Sequence, residues 1–106
     1  MEGWTFLTNH SHVLLSIAVD PEIRLRDVAQ KVGITERAAQ RIVADLVEDG
    51  YVSAFKVGRR NRYKVHAGRP LRHPVEQNAR VEALLALVAP LEAASSRTRS
   101  LRVVGK

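Results

Sequence analysis

Arg37, Gln40 and Arg41 stand three and four residues apart, the spacing that places side chains on one face of a helix. An arginine fork can bond O6 and N7 of guanine, and a glutamine amide can bond N6 and N7 of adenine, at roughly 1–3 kcal/mol for each good pair. Glu36 can accept from cytosine N4, or it can serve as a favourable acid at a helix N-terminus. The hydroxyls of Thr35 and Ser11 can reach phosphates, although capping is the simpler duty for both. A solvated face would instead spend these charges in ion pairs, Arg37 with Glu36 or Arg41 with Asp45.

A second group lies just downstream. The chain carries 17 basic and 11 acidic residues, for a net charge of +6. Lys56 to Arg72 holds seven of the basic residues (Lys56, Arg59, Arg60, Arg62, Lys64, Arg69, Arg72) and no acidic one. The remainder is close to neutral, so the excess is local, as expected for a polyanionic partner. Protecting an exposed strand edge would need only a lysine or two, and seven cations without an acid among them point to phosphates. Each phosphate neutralised should add about 0.9 to the salt slope of binding.

Other chemistry is poorly represented. There is no cysteine, which excludes disulfides, thiolate metal sites and thiol redox sensing. His10 and His12 are two apart and do not share a helical face, and His66 and His73 fall in a linker, so no metal or other cofactor is expected. A composite histidine site across a dimer is the one metal route left open. No carboxylate pair, nucleophile with its base, or phosphate-cradling glycine loop suggests an enzyme. No apolar run approaches a membrane span and no leader pattern opens the chain, so the expectation is a soluble cytoplasmic protein without a membrane partner.

The elements that must position these groups follow from periodicity and punctuation. Ala39, Ile42, Val43 and Leu46 form one apolar stripe of a helix over 36–49, with Thr35 as its cap and Gly50 as its stop. At about 1.5 Å per residue that helix is about 21 Å long and fits the roughly 12 Å wide major groove of DNA. Thr8 caps a first helix from about Asn9 to Val19, with Val13, Leu14, Ile17 and Ala18 inward and Asp20-Pro21 ending it. Ile23 to Leu25 reads as a short strand, Arg26 to Val32 as a second helix facing Val28, Ala29 and Val32 inward, and Gly33-Ile34 as the turn. Tyr51–Val57 and Arg60–Val65 alternate about Gly58-Arg59, the pattern of a tight hairpin.

The run RLRDVAQKVGITERAAQRIVADLVEDGYV followed by KVGRRNRYKV resembles the winged helix-turn-helix of small bacterial transcription regulators of the MarR and ArsR type, over roughly residues 21–65. The resemblance implies major-groove contacts by Thr35, Glu36, Arg37, Gln40 and Arg41. It implies wing contacts to phosphates or the minor groove by Gly58, Arg59, Arg60, Asn61 and Arg62, which Lys64 would join through its charge. The chain lacks the extra long helices that build the MarR ligand pocket and the cysteine metal motif of many ArsR sensors, so no small-molecule effector is identified.

The expected fold class is mainly α with a small β-hairpin. Residues 1–73 form the winged domain with an N-terminal arm, residues 74–94 a C-terminal dimerisation helix beginning at Pro74, and residues 95–106 a basic tail. Trp4 and Phe6 need a surface, either the core or a second subunit. Val81, Leu84, Leu85, Val88 and Leu91 make an apolar face broader than one small core requires, which points to a homodimer. Pro90 should kink or stop that helix.

The functional expectation is a homodimeric repressor that reads a double-stranded DNA site with helix 36–49 and holds it with wing 56–65. A protein–protein adaptor would call for an apolar or acidic wing. A structured-RNA binder would not use the 36–49 helix, because a deep, narrow A-form major groove does not admit it.

Overall fold

A computed structural model describes residues 3–88. In chain order the elements are α1 (Asn9–Val19), α2 (Leu25–Val32), α3 (Glu36–Glu48), β1 (Val52–Val57), β2 (Arg60–Val65) and α4 (Val81–Leu85). The architecture is mainly helical with one two-stranded antiparallel sheet.

The first helix is central. Thr8 caps it by accepting from the Ser11 amide at 3.3 Å, and the extended Asp20 ends it. Val13, Leu14, Leu15, Ser16 and Ile17 are all buried, a wider face than a single stripe, because α2, α3, β2 and α4 all pack against α1. Ser16 donates its hydroxyl proton to the His12 carbonyl at 2.8 Å and so enters the interior with its polar group satisfied. Val28 and Ala29 of α2 and Ala39, Ile42, Val43 and Leu46 of α3 complete the helical core.

Both helix exits depend on glycine. Gly33 (φ 87°) turns the chain between α2 and α3, and the Ile34 amide closes on the Ala29 carbonyl at 3.0 Å. Gly50 (φ 83°) ends α3: the Tyr51 amide reaches the Leu46 carbonyl at 2.8 Å and the Gly50 amide the Val47 carbonyl at 3.1 Å. These two bonds satisfy carbonyls that the last helical turn leaves open.

β1 and β2 pair from Val52 opposite Val65 to Val57 opposite Arg60. Gly58 takes a positive φ of 65°, and among the described residues no residue other than glycine has positive φ, so Arg59 does not, which suits a type II′ turn. The hairpin is tied to the body by the buried Tyr63, whose amide donates to the Pro21 carbonyl at 2.9 Å.

Two expectations fail. Ile23–Leu25 is not a strand: Leu25 already belongs to α2, Ile23 is buried, and the main-chain bond to β2 is made before it, by the Pro21 carbonyl. The last helix does not begin at Pro74. Residues 73–76 form a turn closed by the Glu76 amide on the His73 carbonyl (3.0 Å), with proline at its second position, where its fixed φ suits a turn as well as a helix start. Leu71 and Ala79 are joined amide to carbonyl at 3.0 Å, as are Val81 and Arg69 at 2.8 Å, so the chain doubles back before α4 starts. The stretch between supplies one large apolar side chain, Val75, which is 84% exposed, so no apolar stripe holds a helix there. Leu71 is half-buried against the core, as its type suggested. The rest of the expected C-terminal helix beyond Val88, with Pro90, Leu91 and the basic tail, lies outside the described residues.

Candidate nucleic-acid interface

The α3 helix has 13 residues and presents two unlike halves. Thr35 accepts from the Ala38 amide at 3.0 Å, so its hydroxyl is used as a cap. Glu36, Arg37, Gln40, Arg41 and Ala44 are exposed together, on the side opposite the buried Ala39, Ile42, Val43 and Leu46. Among the described residues no ion pair involves Arg37 or Arg41. Asp45, the nearest acid to Arg41 in sequence, is instead engaged by His10 of α1, with Nε2 and Oδ2 2.9 Å apart. Asp49 is engaged by Arg72 at 2.9 Å. Asp45 and Asp49 at the C-terminal end of α3 are thus engaged by neighbouring elements and Glu48 is exposed, while the cationic half, at the positive end of the helix dipole, is open.

The wing is less free than its sequence suggests. Arg60 donates from Nη2 to the Glu22 carbonyl at 2.7 Å, and Arg62 Nη1 lies 3.7 Å from the Glu22 carboxylate. Both therefore brace the hairpin against the loop between α1 and α2. Arg59 sits at the tip with Gly58, and Lys56, Asn61 and Lys64 are exposed on the strands. Lys64 and Arg62 stand opposite Ser53 and Phe55, so they share one face of the hairpin.

Arg69 and Arg72 do not belong to the wing. Arg69 donates to the Asp49 carbonyl at 2.8 Å and lies over the Tyr51 ring at 5.3 Å from its centroid. Tyr51 in turn donates its hydroxyl proton to the Pro70 carbonyl at 2.6 Å. Together with the Arg72–Asp49 pair, these contacts clamp the 69–72 segment to the C-terminal end of α3. The count of seven cations without a counterion is therefore corrected. Glu22 and Asp49, both outside Lys56–Arg72 in sequence, are brought to Arg62 and Arg72 by the fold, and Lys56, Arg59, Arg60, Lys64 and Arg69 remain without an ion pair among the described residues, Arg60 and Arg69 being bonded to main-chain carbonyls. Nothing in the local sequence signals this, because each acid arrives from a different element.

The histidines are dispersed. His66 shares a 2.6 Å hydrogen bond with Ser53, and His73 Nδ1 accepts from the Val75 amide at 3.0 Å. Among the described residues no three histidine, aspartate or glutamate side chains group as metal ligands would. No described helix is long and apolar enough to cross a membrane.

The candidate interface residues of the arm and C-terminal segment separate into three kinds. Trp4 and Phe6 are 73% and 90% exposed, so the arm does not pack them on the core. Val81 is 1% exposed and belongs to the subunit's own core, which removes it as a contact for a partner. Leu84 and Leu85 are half-buried against that core, and Leu87 and Val88 face outward.

With this geometry in place, residues 8–53 match the family model described as winged helix-turn-helix DNA-binding. Among solved structures, the chain is similar to the PcaV transcriptional regulator from Streptomyces coelicolor, determined in complex with its natural ligand. That match has 19% identity and a TM-score of 0.50, and covers 92% of this chain and 74% of that one. No curated protein matches the sequence. The fold is that of a winged helix-turn-helix, with α2 and α3 as its helical pair and β1–β2 as its wing.

Proposed function

We propose that this chain is a sequence-specific double-stranded-DNA-binding transcription regulator, acting as a homodimeric repressor in the cytoplasm. The observation that carries the reading is the open face of α3. Arg37, Gln40 and Arg41 project together from a capped helix, free of ion pairs among the described residues, immediately before a basic hairpin in a fold matched to DNA-binding domains. In this reading α3 enters the major groove, where Arg37, Gln40 and Arg41 read base edges and Glu36 either accepts from cytosine or supports the helix start. Arg59 at the tip, with Gly58 and Asn61 beside it, meets phosphates or the minor groove, while Lys56 and Lys64 supply phosphate charge. Arg60 and Arg62 hold the wing at its angle through Glu22. The function is binding alone, with repression by occlusion.

Two copies would place their α3 helices in successive major grooves about 34–36 Å apart, on a pseudo-palindromic site. The exposed Trp4, Phe6, Leu87 and Val88, with Leu84 and Leu85 at the margin, supply apolar surface for pairing.

The test is selection of bound duplexes from a random pool, followed by titration of the best one against scrambled DNA at several salt concentrations. A preference of at least about a thousandfold is expected of specific recognition. Equal affinity for both would reduce the protein to a general DNA binder.

A further inference from the structure

DNA contact through α3 and the wing leaves the opposite end of α3 without a task. There a cleft of about 710 Å³ opens between the N-terminal arm, the start of α1, the second half of α3 and the segment carrying Leu71 to Leu84. Leu14, Leu46, Tyr51, Val81 and Leu84 give it an apolar floor. The rim carries the His10–Asp45 hydrogen bond and the Arg72–Asp49 pair, so its arginine is already matched by a carboxylate, and Glu76 adds a further acid. Such a rim does not favour an anionic occupant. The volume is within the roughly 300–1,000 Å³ of sites that enclose ring-sized apolar groups.

At the lip of this cleft stands an aromatic pair that none of the described residues covers. Trp4, the single tryptophan of the chain, and Phe6 meet edge to face with ring centroids 4.8 Å apart, yet both are largely exposed. Phe6, Leu7 and Thr8 belong to the cleft wall and Leu7 is half-buried, so the arm is rooted at the cleft.

We infer that the cleft of each subunit receives the Trp4–Phe6 pair of a second copy of this chain, the two arms being exchanged about a two-fold axis. This rests on the homodimeric reading above. Arm and cleft are neighbours on one face, and a two-fold axis that carries one arm into the partner's cleft carries the other arm back, which gives a closed, self-complementary contact. Aromatic side chains bury about 150–250 Å² each. Four of them at these exposures, with the surface they cover, remove about 1,300 Å² from water, within the roughly 1,200–2,000 Å² of a stable interface. The uncharged stretch from Gly3 to Leu7, with its two aromatic rings, also suits an apolar floor.

Trp4 reports on its own position. In the full-length chain, tryptophan emission should be blue-shifted and shielded from acrylamide at concentrations where sedimentation gives a dimer, and should shift red as dilution gives monomer. The double variant Trp4→Ala, Phe6→Ala alters only exposed side chains. It should dimerise about 100-fold more weakly and bind the uncharged dye N-phenyl-1-naphthylamine in its emptied cleft, whereas the wild-type dimer should not. Mixing that variant with Leu84→Glu, which keeps its arm and spoils its cleft, should restore one of the two insertions and give heterodimers tighter than either homodimer. If Leu84→Glu loses its circular dichroism, Ser11→Phe fills the same cleft from the α1 side. A wild-type dimer with solvent-exposed Trp4, or one unaffected by the double substitution, overturns the exchange while leaving the homodimer standing. A wild-type dimer that takes up the dye as readily as the variant also overturns it, with the cleft then free for a small apolar ligand. A monomer at every concentration overturns both readings, and a shielded Trp4 in that monomer would place the arm in its own cleft.

Discussion

Replacing Glu22 with glutamine should strengthen DNA binding, although Glu22 is an acid remote from α3 in sequence. Its carboxylate lies 3.7 Å from Arg62 Nη1, with the two side chains 48% and 49% exposed. At that separation in bulk water two unit charges attract by roughly 1 kcal/mol, and half-exposed pairs return less than that as stability. Folding should therefore change by no more than about 0.5 kcal/mol, since Arg60 bonds the Glu22 main-chain carbonyl and keeps that contact. Arg62, released from its partner, becomes available to a phosphate. One added phosphate contact raises the salt slope by about 0.9 per subunit, or about 1.8 for a dimer. Each halving of salt would then favour the variant over wild type by a further factor of about 3.5.

The assay is fluorescence anisotropy on one selected duplex, titrated at four or more salt concentrations for wild type, Glu22→Gln, Arg62→Ala and the combination. Arg62→Ala alone should leave the slope nearly unchanged, because in the folded protein that cation is already matched. In the Glu22→Gln background it should return the slope to the wild-type value. If Glu22→Gln left the slope unaltered, or Arg62→Ala alone lowered it by about 0.9 per subunit, the account of Glu22 as the wing's counterion would be wrong.

Three further outcomes follow from the same geometry. Arg41→Ala should relax base preference at one position of the site by roughly 1–3 kcal/mol, whereas Arg59→Ala should weaken selected and scrambled duplexes alike and lower the salt slope. Tyr51→Phe removes the bond to the Pro70 carbonyl and should cost about 1 kcal/mol, a fall in Tm of roughly 4–8 °C by calorimetry, and Gly50→Ala, forced into positive φ beside Arg69, should cost about 1–2 kcal/mol. Val81→Ala should cost about 2–3 kcal/mol of folding stability at any protein concentration, while Val88→Ala should leave a monomer's stability within about 0.5 kcal/mol; an equal effect of the two would mean that Val81 is not a core residue.

What could be read from residues alone was whatever local periodicity and punctuation control. The apolar stripe Ala39, Ile42, Val43, Leu46 between Thr35 and Gly50 specifies α3 almost to the residue, because cap, stripe and stop all act within one element. Gly58-Arg59 does the same for the wing. The start of the last helix was misplaced because Pro74 is equally at home at the first position of a helix and at the second of a turn. The choice between them was made from elsewhere, by the Leu71–Ala79 and Arg69–Val81 main-chain bonds and by the demand of the core for Val81. A helical spacing shared by Val81, Leu84 and Val88 likewise could not say that the first faces the subunit's own interior and the last faces water.

Charge was misjudged for a related reason. A count along the chain registers Glu22 and Asp49 only as distant acids, yet the turn after α1 and the glycine exit from α3 deliver them to Arg62 and Arg72. The same folding step delivers His10 to Asp45. α3 therefore emerges with Asp45 and Asp49 engaged at its C-terminal end and its arginines open at the N-terminal half, where the helix dipole is positive. A helix whose acids stayed free would set Asp45 and Asp49 against the phosphates that Arg37 and Arg41 are proposed to approach. Asp45→Asn, which removes an acid beside the arginine face, should on this account tighten binding to selected and scrambled duplexes alike, whereas His10→Ala, which strips that carboxylate of its hydrogen-bond partner and leaves it free, should weaken binding to both. An unchanged affinity in both variants would show that the His10–Asp45 contact does not bear on the phosphates at all.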